Sequence, residues 1–148
     1  MLTERRQTLA TAESLTGGLL GAAITAVPGA SVVYRGGITA YATELKAVLL
    51  GVPPGLLAEH GPVDAGVAAA MAAGARDRLG ATWGLATTGV AGPDLVGELP
   101  PGTVHIAASA GVPALRSLAL TGGRDKVRRD TVEEALKLLW ERLGEDAP

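Results

Sequence analysis

The sequence predicts an α/β fold: a three-layer α/β/α domain with a mixed sheet covered by helices on both faces. β-compatible runs alternate with helix-periodic runs as far as Thr88, and two consecutive strand-like runs then precede a last helix. Composition points the same way. The 148 residues are 47% hydrophobic but only 3% aromatic, with no Phe, so Leu, Val and Ala must fill the core. Small side chains let helices lie close on a sheet. A chain of this length suits one domain, residues 1–148, able to bury roughly 70% of its unfolded surface.

Thr8–Ala12 is a short apolar strand that stops at Glu13-Ser14, and Leu15–Ala26 follows at helical spacing until Val27-Pro28-Gly29 ends it. Ser31–Tyr41 is rich in Val, Tyr, Ile and Thr and reads as a strand interrupted by Gly36-Gly37. Thr43 is placed to N-cap a helix over Glu44–Leu50 that closes at Gly51. Pro53-Pro54 starts a helical turn that ends near Gly61, and Asp64 caps a longer helix over Ala65–Leu79 with Gly80 as its stop. Trp83–Thr88 has the composition of a buried strand. Asp94–Gly102 reads as loop, Thr103–Ser109 and Leu115–Leu120 as strands, and Asp125–Leu143 as an amphipathic helix with Val132, Leu136, Leu139 and Leu143 on its stripe.

Net charge is −2 with no long run of one sign, which does not point to nucleic acid or to a membrane surface. No apolar run approaches the ~20 residues that span a bilayer, and the first residues are polar, so the expected location is cytoplasmic. The absence of Cys excludes disulfides, thiolate metal sites and thiol nucleophiles. Neither His60, at a helix end, nor His105, within an apolar strand, has metal-ligand spacing, so no metal and no cofactor are expected. A homo-oligomer is compatible with the sequence, which leaves oligomeric state open.

Four segments could carry chemistry. Glu13-Ser14-Leu15-Thr16-Gly17-Gly18 lies where a strand gives way to a helix, a place where free N–H groups favour negative charge and an exposed Ser can stand beside an oxyanion site. On local pattern alone, N-capping is the commoner role for Ser14 or Thr16. Gly36 to Lys46 ends with a Lys in the first turn of a helix, where dipole and burial would both disfavour its ammonium form. A neutral amine there could take a proton from a serine, although most lysines are simply exposed. Thr87-Thr88-Gly89-Val90-Ala91-Gly92-Pro93 is a strand end opening into a Gly-rich loop, where ligands of open α/β sheets sit, or else plain punctuation. Gly122 to Arg129 crowds cations at the positive end of a helix, which a phosphate would answer and solvated surface charge would explain equally well.

In this order the four segments resemble the CinA C-terminal domain, a family of nicotinamide-nucleotide amidases, from about Thr8 to Leu143. The most specific piece is Ala10-Thr11-Ala12-Glu13-Ser14-Leu15-Thr16-Gly17-Gly18. Pro28-Gly29-Ala30-Ser31, Gly36 through Tyr41 to Lys46, Thr88 to Pro93, Gly102-Thr103-Val104 and Arg124 with Val127-Arg128 support it. The resemblance implies Ser14 as nucleophile, Lys46 as its base and Tyr41 as a helper in proton transfer. On the same reading Thr16 and the backbone of Gly17 help hold the oxyanion, and Gly89, Ala91 and Gly92 form a second wall. Arg124 and Arg128 would take a substrate phosphate. The implied reaction converts nicotinamide mononucleotide to nicotinic acid mononucleotide and ammonia, without a metal.

The chain departs from the family pattern at several points. Leu15 replaces the usual Cys, Thr43 a common Asn, and Asp94-Leu95-Val96-Gly97 the usual extra glycines. Leu99-Pro100-Pro101-Gly102 replaces Lys-Pro-Val-Gly, the N-terminal helix is nearly absent, and these residues hold no counterpart to the larger domain of two-domain relatives. The altered loop favours the alternative reading, a non-catalytic nucleotide-binding or interaction module on the same fold.

Overall fold

The computed structural model describes residues 1–145. Its elements run α1 (Leu2–Arg5), β1 (Leu9–Glu13), α2 (Leu19–Thr25), a 3₁₀ turn (Ala30–Val32), β2 (Tyr34–Thr39), α3 (Thr43–Leu50), α4 (Pro54–His60) and α5 (Ala65–Leu79). They continue with β3 (Trp83–Gly89), β4 (Thr103–Ser109), β5 (Pro113–Ala119) and α6 (Arg124–Glu145). The sheet order is β2-β1-β3-β4-β5. β1 runs parallel to both β2 and β3, whereas β4 pairs antiparallel with β3 and with β5. The mixed sheet follows from the connections. Helical crossovers return the chain in parallel, and the short link between β4 and β5 reverses it.

Side chains alternate across each strand, so the sheet carries two cores. On one face Leu9, Trp83, Leu85, Val104 and Ile106 pack with Leu20 and Ile24 of α2 and with Val127, Ala135, Leu138 and Leu139 of α6. On the other, Ala10, Ala12, Ala86 and Ala107 pack with α3, α4 and α5. This second face is nearly all alanine because α5 lies against it backbone to backbone. A Cβ on Gly84 would fall 1.9 Å from the carbonyl oxygen of Ala72, and one on Gly74 would fall 1.9 Å from that of Leu50. Aromatic scarcity is thus a condition of this packing.

Three local expectations change. The helix expected from Leu15 begins at Leu19, because Gly17 and Gly18 take φ of 57° and 108° and fold the chain back before it can wind. The strand expected from Ser31 begins at Tyr34, after the 3₁₀ turn. Thr43 does not cap α3; it is the first helical residue, Ala42 stands at the cap position, and no side-chain cap bond is made. Asp64 does cap α5, its carboxylate accepting from the Val67 N–H at 3.1 Å.

The order β2-β1-β3 places a topological switch at β1: the chain leaves β1 to one side through α2 and returns on the other through α3–α5. Loops diverge at such a point and open a crevice beyond the carboxyl ends of the parallel strands. Ser14 directly follows β1, Ala40-Tyr41 follow β2, and Val90–Val96 follow β3.

Candidate active site

The crevice is a cavity of about 360 Å³. Ser14, Tyr41, Thr43, Lys46, Gly89, Ala91, Gly92, Asp94, Leu95 and Arg124 are among its lining residues. Glu13 and Ser14 are sequence neighbours on opposite faces of the sheet. Glu13 lies under α2, and Ser14, 8% exposed, faces α3. The Ser14 N–H donates to the Thr87 carbonyl at 3.1 Å, which fixes the residue at the strand end.

Lys46 sits one turn into α3 and is 0% exposed, the bulkiest side chain so enclosed. Its Nζ lies 2.9 Å from Ser14 Oγ, 2.7 Å from the Ala40 carbonyl oxygen and 3.3 Å from that of Tyr41. Burial pulls its pKa from the usual 10.5 down to about 8, against an opposing pull from the Glu44 carboxylate. The geometry suits both protonation states. An ammonium donates to all three oxygens, whereas a neutral amine keeps two donors for the carbonyls and turns its lone pair to the Ser14 hydroxyl.

Tyr41 is 59% exposed. Its carbonyl, not its ring, meets Lys46, and its hydroxyl accepts from Arg124 Nη2 at 3.2 Å. Arg124 also donates through Nη1 to the Gly92 carbonyl at 2.6 Å, spanning the cavity mouth from α6 to the loops after β2 and β3. Of the two arginines expected to take a phosphate, Arg124 alone lines the cavity. Lys126 is paired with Asp130. Arg128 must be reassigned: its Nε donates to the Leu15 carbonyl at 2.9 Å and its Nη2 to the Thr16 carbonyl at 3.3 Å, with Asp125 3.9 Å away. It braces the Ser14 turn from the α6 side and does not border the cavity.

Of the oxyanion donors expected at Thr16 and Gly17, the Thr16 hydroxyl and the Gly17 N–H are otherwise engaged. The Thr16 hydroxyl pairs with that of Thr87 at 2.8 Å in full burial, and the Gly17 N–H donates to the Ser14 carbonyl at 3.0 Å. The start of α2 is closed as well. Glu13, 3% exposed, accepts from the N–H groups of Gly18 at 3.2 Å, Leu20 at 2.8 Å and Gly21 at 3.1 Å. Its carboxylate occupies the place an incoming anion would take. The sequence reading passed over Glu13 as a strand terminator. Two glycines that let the backbone return over an acid five residues earlier were the available signal. Among the described residues, the N–H groups of Leu15, Thr16 and Ala91 donate to no protein acceptor.

Gly89, Ala91 and Gly92 all border the cavity. Thr88 ties this wall to the start of α5 by donating to the Pro62 carbonyl at 2.7 Å, and Val96 and Leu99 pair across the altered loop. Asp94, Leu95 and Val96 therefore stand at the mouth. Among the described residues no cluster of His, Asp or Glu could hold a metal. No helix among the described residues is long and apolar enough to cross a membrane.

Fold and cavity together define an α/β protein with a buried serine–lysine pair at a switch-point crevice. The chain belongs to the CinA C-terminal domain family, whose signature matches residues 1–143. It is 55% identical to a CinA-like protein of Frankia casuarinae over 145 residues, 97% of this chain and 34% of that protein. A CinA-like protein of Gloeobacter violaceus is 46% identical, across 97% of this chain and 36% of its own length. The chain thus spans about a third of the curated relatives it matches. Among solved structures, the competence damage-inducible protein A of Klebsiella pneumoniae superposes with a TM-score of 0.96 at 32% identity, over 99% of this chain and 92% of that one. The competence/damage inducible protein CihA of Agrobacterium tumefaciens gives 0.91 at 36% identity, over 95% and 87%.

Proposed function

We propose that this chain is a serine amidase that hydrolyses the carboxamide of nicotinamide mononucleotide to nicotinic acid mononucleotide and ammonia. The observation that carries the reading is the enclosed amine of Lys46, 2.9 Å from Ser14 Oγ and with a pKa brought down to about 8. Near neutral pH a useful fraction of such an amine is uncharged and can act as a base. Ser14 Oγ attacks the carboxamide carbon while its proton passes to Lys46. The ammonium so formed protonates the departing nitrogen, which leaves as ammonia with the acyl group on Ser14. Water, deprotonated by the same amine, then attacks the ester and releases the carboxylate.

Arg124, the arginine bordering the cavity, takes the substrate phosphate in this reading. It would exchange its bonds to Gly92 and Tyr41 for phosphate oxygens. Tyr41 would join proton transfer only if that exchange frees its hydroxyl. The family supports the substrate class by resemblance.

The test is direct. Purified protein incubated with nicotinamide mononucleotide should release ammonia in step with nicotinic acid mononucleotide. Ser14→Ala should lower the rate at least ~10²–10⁴-fold with the fold intact. Near-full activity in Ser14→Ala would remove the mechanism.

A further inference from the structure

Arg128 touches neither the cavity nor Ser14, yet it holds two consecutive carbonyls of the turn that carries the nucleophile. In a planar trans peptide the C=O and the following N–H point in opposite directions. Fixing the Leu15 carbonyl on the α6 side therefore turns the Thr16 N–H away from α6. Fixing the Thr16 carbonyl does the same to the Gly17 N–H, which reaches the Ser14 carbonyl at 3.0 Å. That bond in turn orients the Ser14–Leu15 peptide, whose N–H faces the other way. The outcome is two adjacent N–H groups, of Leu15 and Thr16, with no protein acceptor. Leu15 borders the cavity, although its side chain is packed in the core with α6. The start of α2 cannot serve instead, because the Glu13 carboxylate fills it.

We infer that Arg128 is a positioning residue: by holding the Leu15 and Thr16 carbonyls it aims the N–H groups of Leu15 and Thr16 at the oxygen that becomes negative when Ser14 attacks. This rests on the serine-amidase reading of the cavity. It separates the two arginines of α6, with Arg124 acting on substrate and Arg128 acting on the enzyme's own turn.

The experiment uses the full chain and two readouts, turnover of nicotinamide mononucleotide and the rate at which a fluorophosphonate labels Ser14. In labelling, the Oγ–P bond forms, fluoride leaves, and the hydroxyl proton passes to Lys46, while the phosphoryl oxygen takes the oxyanion position. Arg128→Lys keeps the charge but cannot reach both carbonyls as a fork. It should slow labelling and kcat by ~10-fold or more, short of the ~10²–10³-fold for removing an oxyanion donor outright, and leave KM within about twofold. Arg128→Ala should be slower still and be partly restored by millimolar guanidinium, to which wild type should not respond. Labelling of a folded Arg128→Lys at the wild-type rate overturns the inference. So does a loss confined to KM for the phosphorylated substrate that spares its riboside. Wild type that labels at Ser14 but leaves the nucleotide intact would remove the proposed substrate, and the labelling rates would still decide the role of Arg128.

Discussion

Replacing Lys46 by Met tests whether the amine is as enclosed as its surroundings suggest. Met matches the length and apolar stem of the side chain but cannot be charged. In the folded protein the ammonium is disfavoured enough to lower the pKa from 10.5 to about 8. Because the folded pKa is the lower one, the unfolded chain binds the extra proton between these values, and wild-type stability rises with pH across that window. Below about pH 8 the full penalty is present; above 10.5 it is gone. At about 1.4 kcal/mol per pH unit the change amounts to about 3 kcal/mol. Met also leaves the Ala40 and Tyr41 carbonyls without a donor, a loss that is the same at every pH and cancels from the comparison. Urea unfolding of both proteins at pH 7 and pH 10.5 should show wild type gaining about 3 kcal/mol on the variant. Their other titrating groups are shared. Parallel stability curves would mean that Lys46 is solvated in the native protein, and its assignment as a base would lose its ground.

The same amine should set the pH–rate profile, with kcat/KM rising through an apparent pKa near 8 as the ammonium loses its proton; Lys46→Arg, which cannot lose one, should be nearly inactive in that assay. Arg124→Ala should weaken binding of nicotinamide mononucleotide by roughly 1.5–3 kcal/mol but affect the riboside much less, and equal losses on both would place the phosphate elsewhere. Glu13→Gln sets an amide N–H₂ against one of the three N–H groups at the start of α2 and should cost about 2 kcal/mol in urea unfolding; no measurable loss would show that the turn is held otherwise. Gly84→Ala drives a methyl into the Ala72 carbonyl, and thermal melts should show a loss of at least about 3 kcal/mol; an unchanged Tm would mean that α5 can lift off the sheet.

Element order and the mixed sheet were legible because period and punctuation agree along most of the chain: Gly51 and Gly80 end α3 and α5 in left-handed conformations, and Asp64 caps α5. Boundaries moved where tertiary bonds outweigh propensity. Leu15–Gly18 adjoins a helix-periodic run, but Gly17 and Gly18 take left-handed φ, Arg128 and Thr87 hold the polar groups of Leu15 and Thr16, and Glu13 claims the donors of the next turn. The Ser14–Lys46 pairing was open to reasoning through the helix position of Lys46, whereas its burial depends on three loops meeting, which no local pattern encodes. The cationic segment misled for a related reason. Arg124, Lys126 and Arg128 look like one patch in sequence, yet the arginines share a face of α6 one turn apart, so that one reaches the cavity mouth and the other the Ser14 turn, while Lys126 lies off that face and pairs with Asp130.

The pleat of β1 makes this site a matter of parity. Glu13 and Ser14 are adjacent along the chain, but the strand directs one beneath α2 and the other toward Lys46. A carboxylate facing that amine would hold on to its proton, raising the pKa that burial lowers, and the base would be silent at neutral pH. One residue inserted between Leu9 and Glu13 would move the acid to the place that faces the amine and carry the hydroxyl past it. Core strands elsewhere in the sheet can trade one small apolar side chain for another. β1 must also keep its count, because only one of its two possible settings insulates the base from the acid beside it.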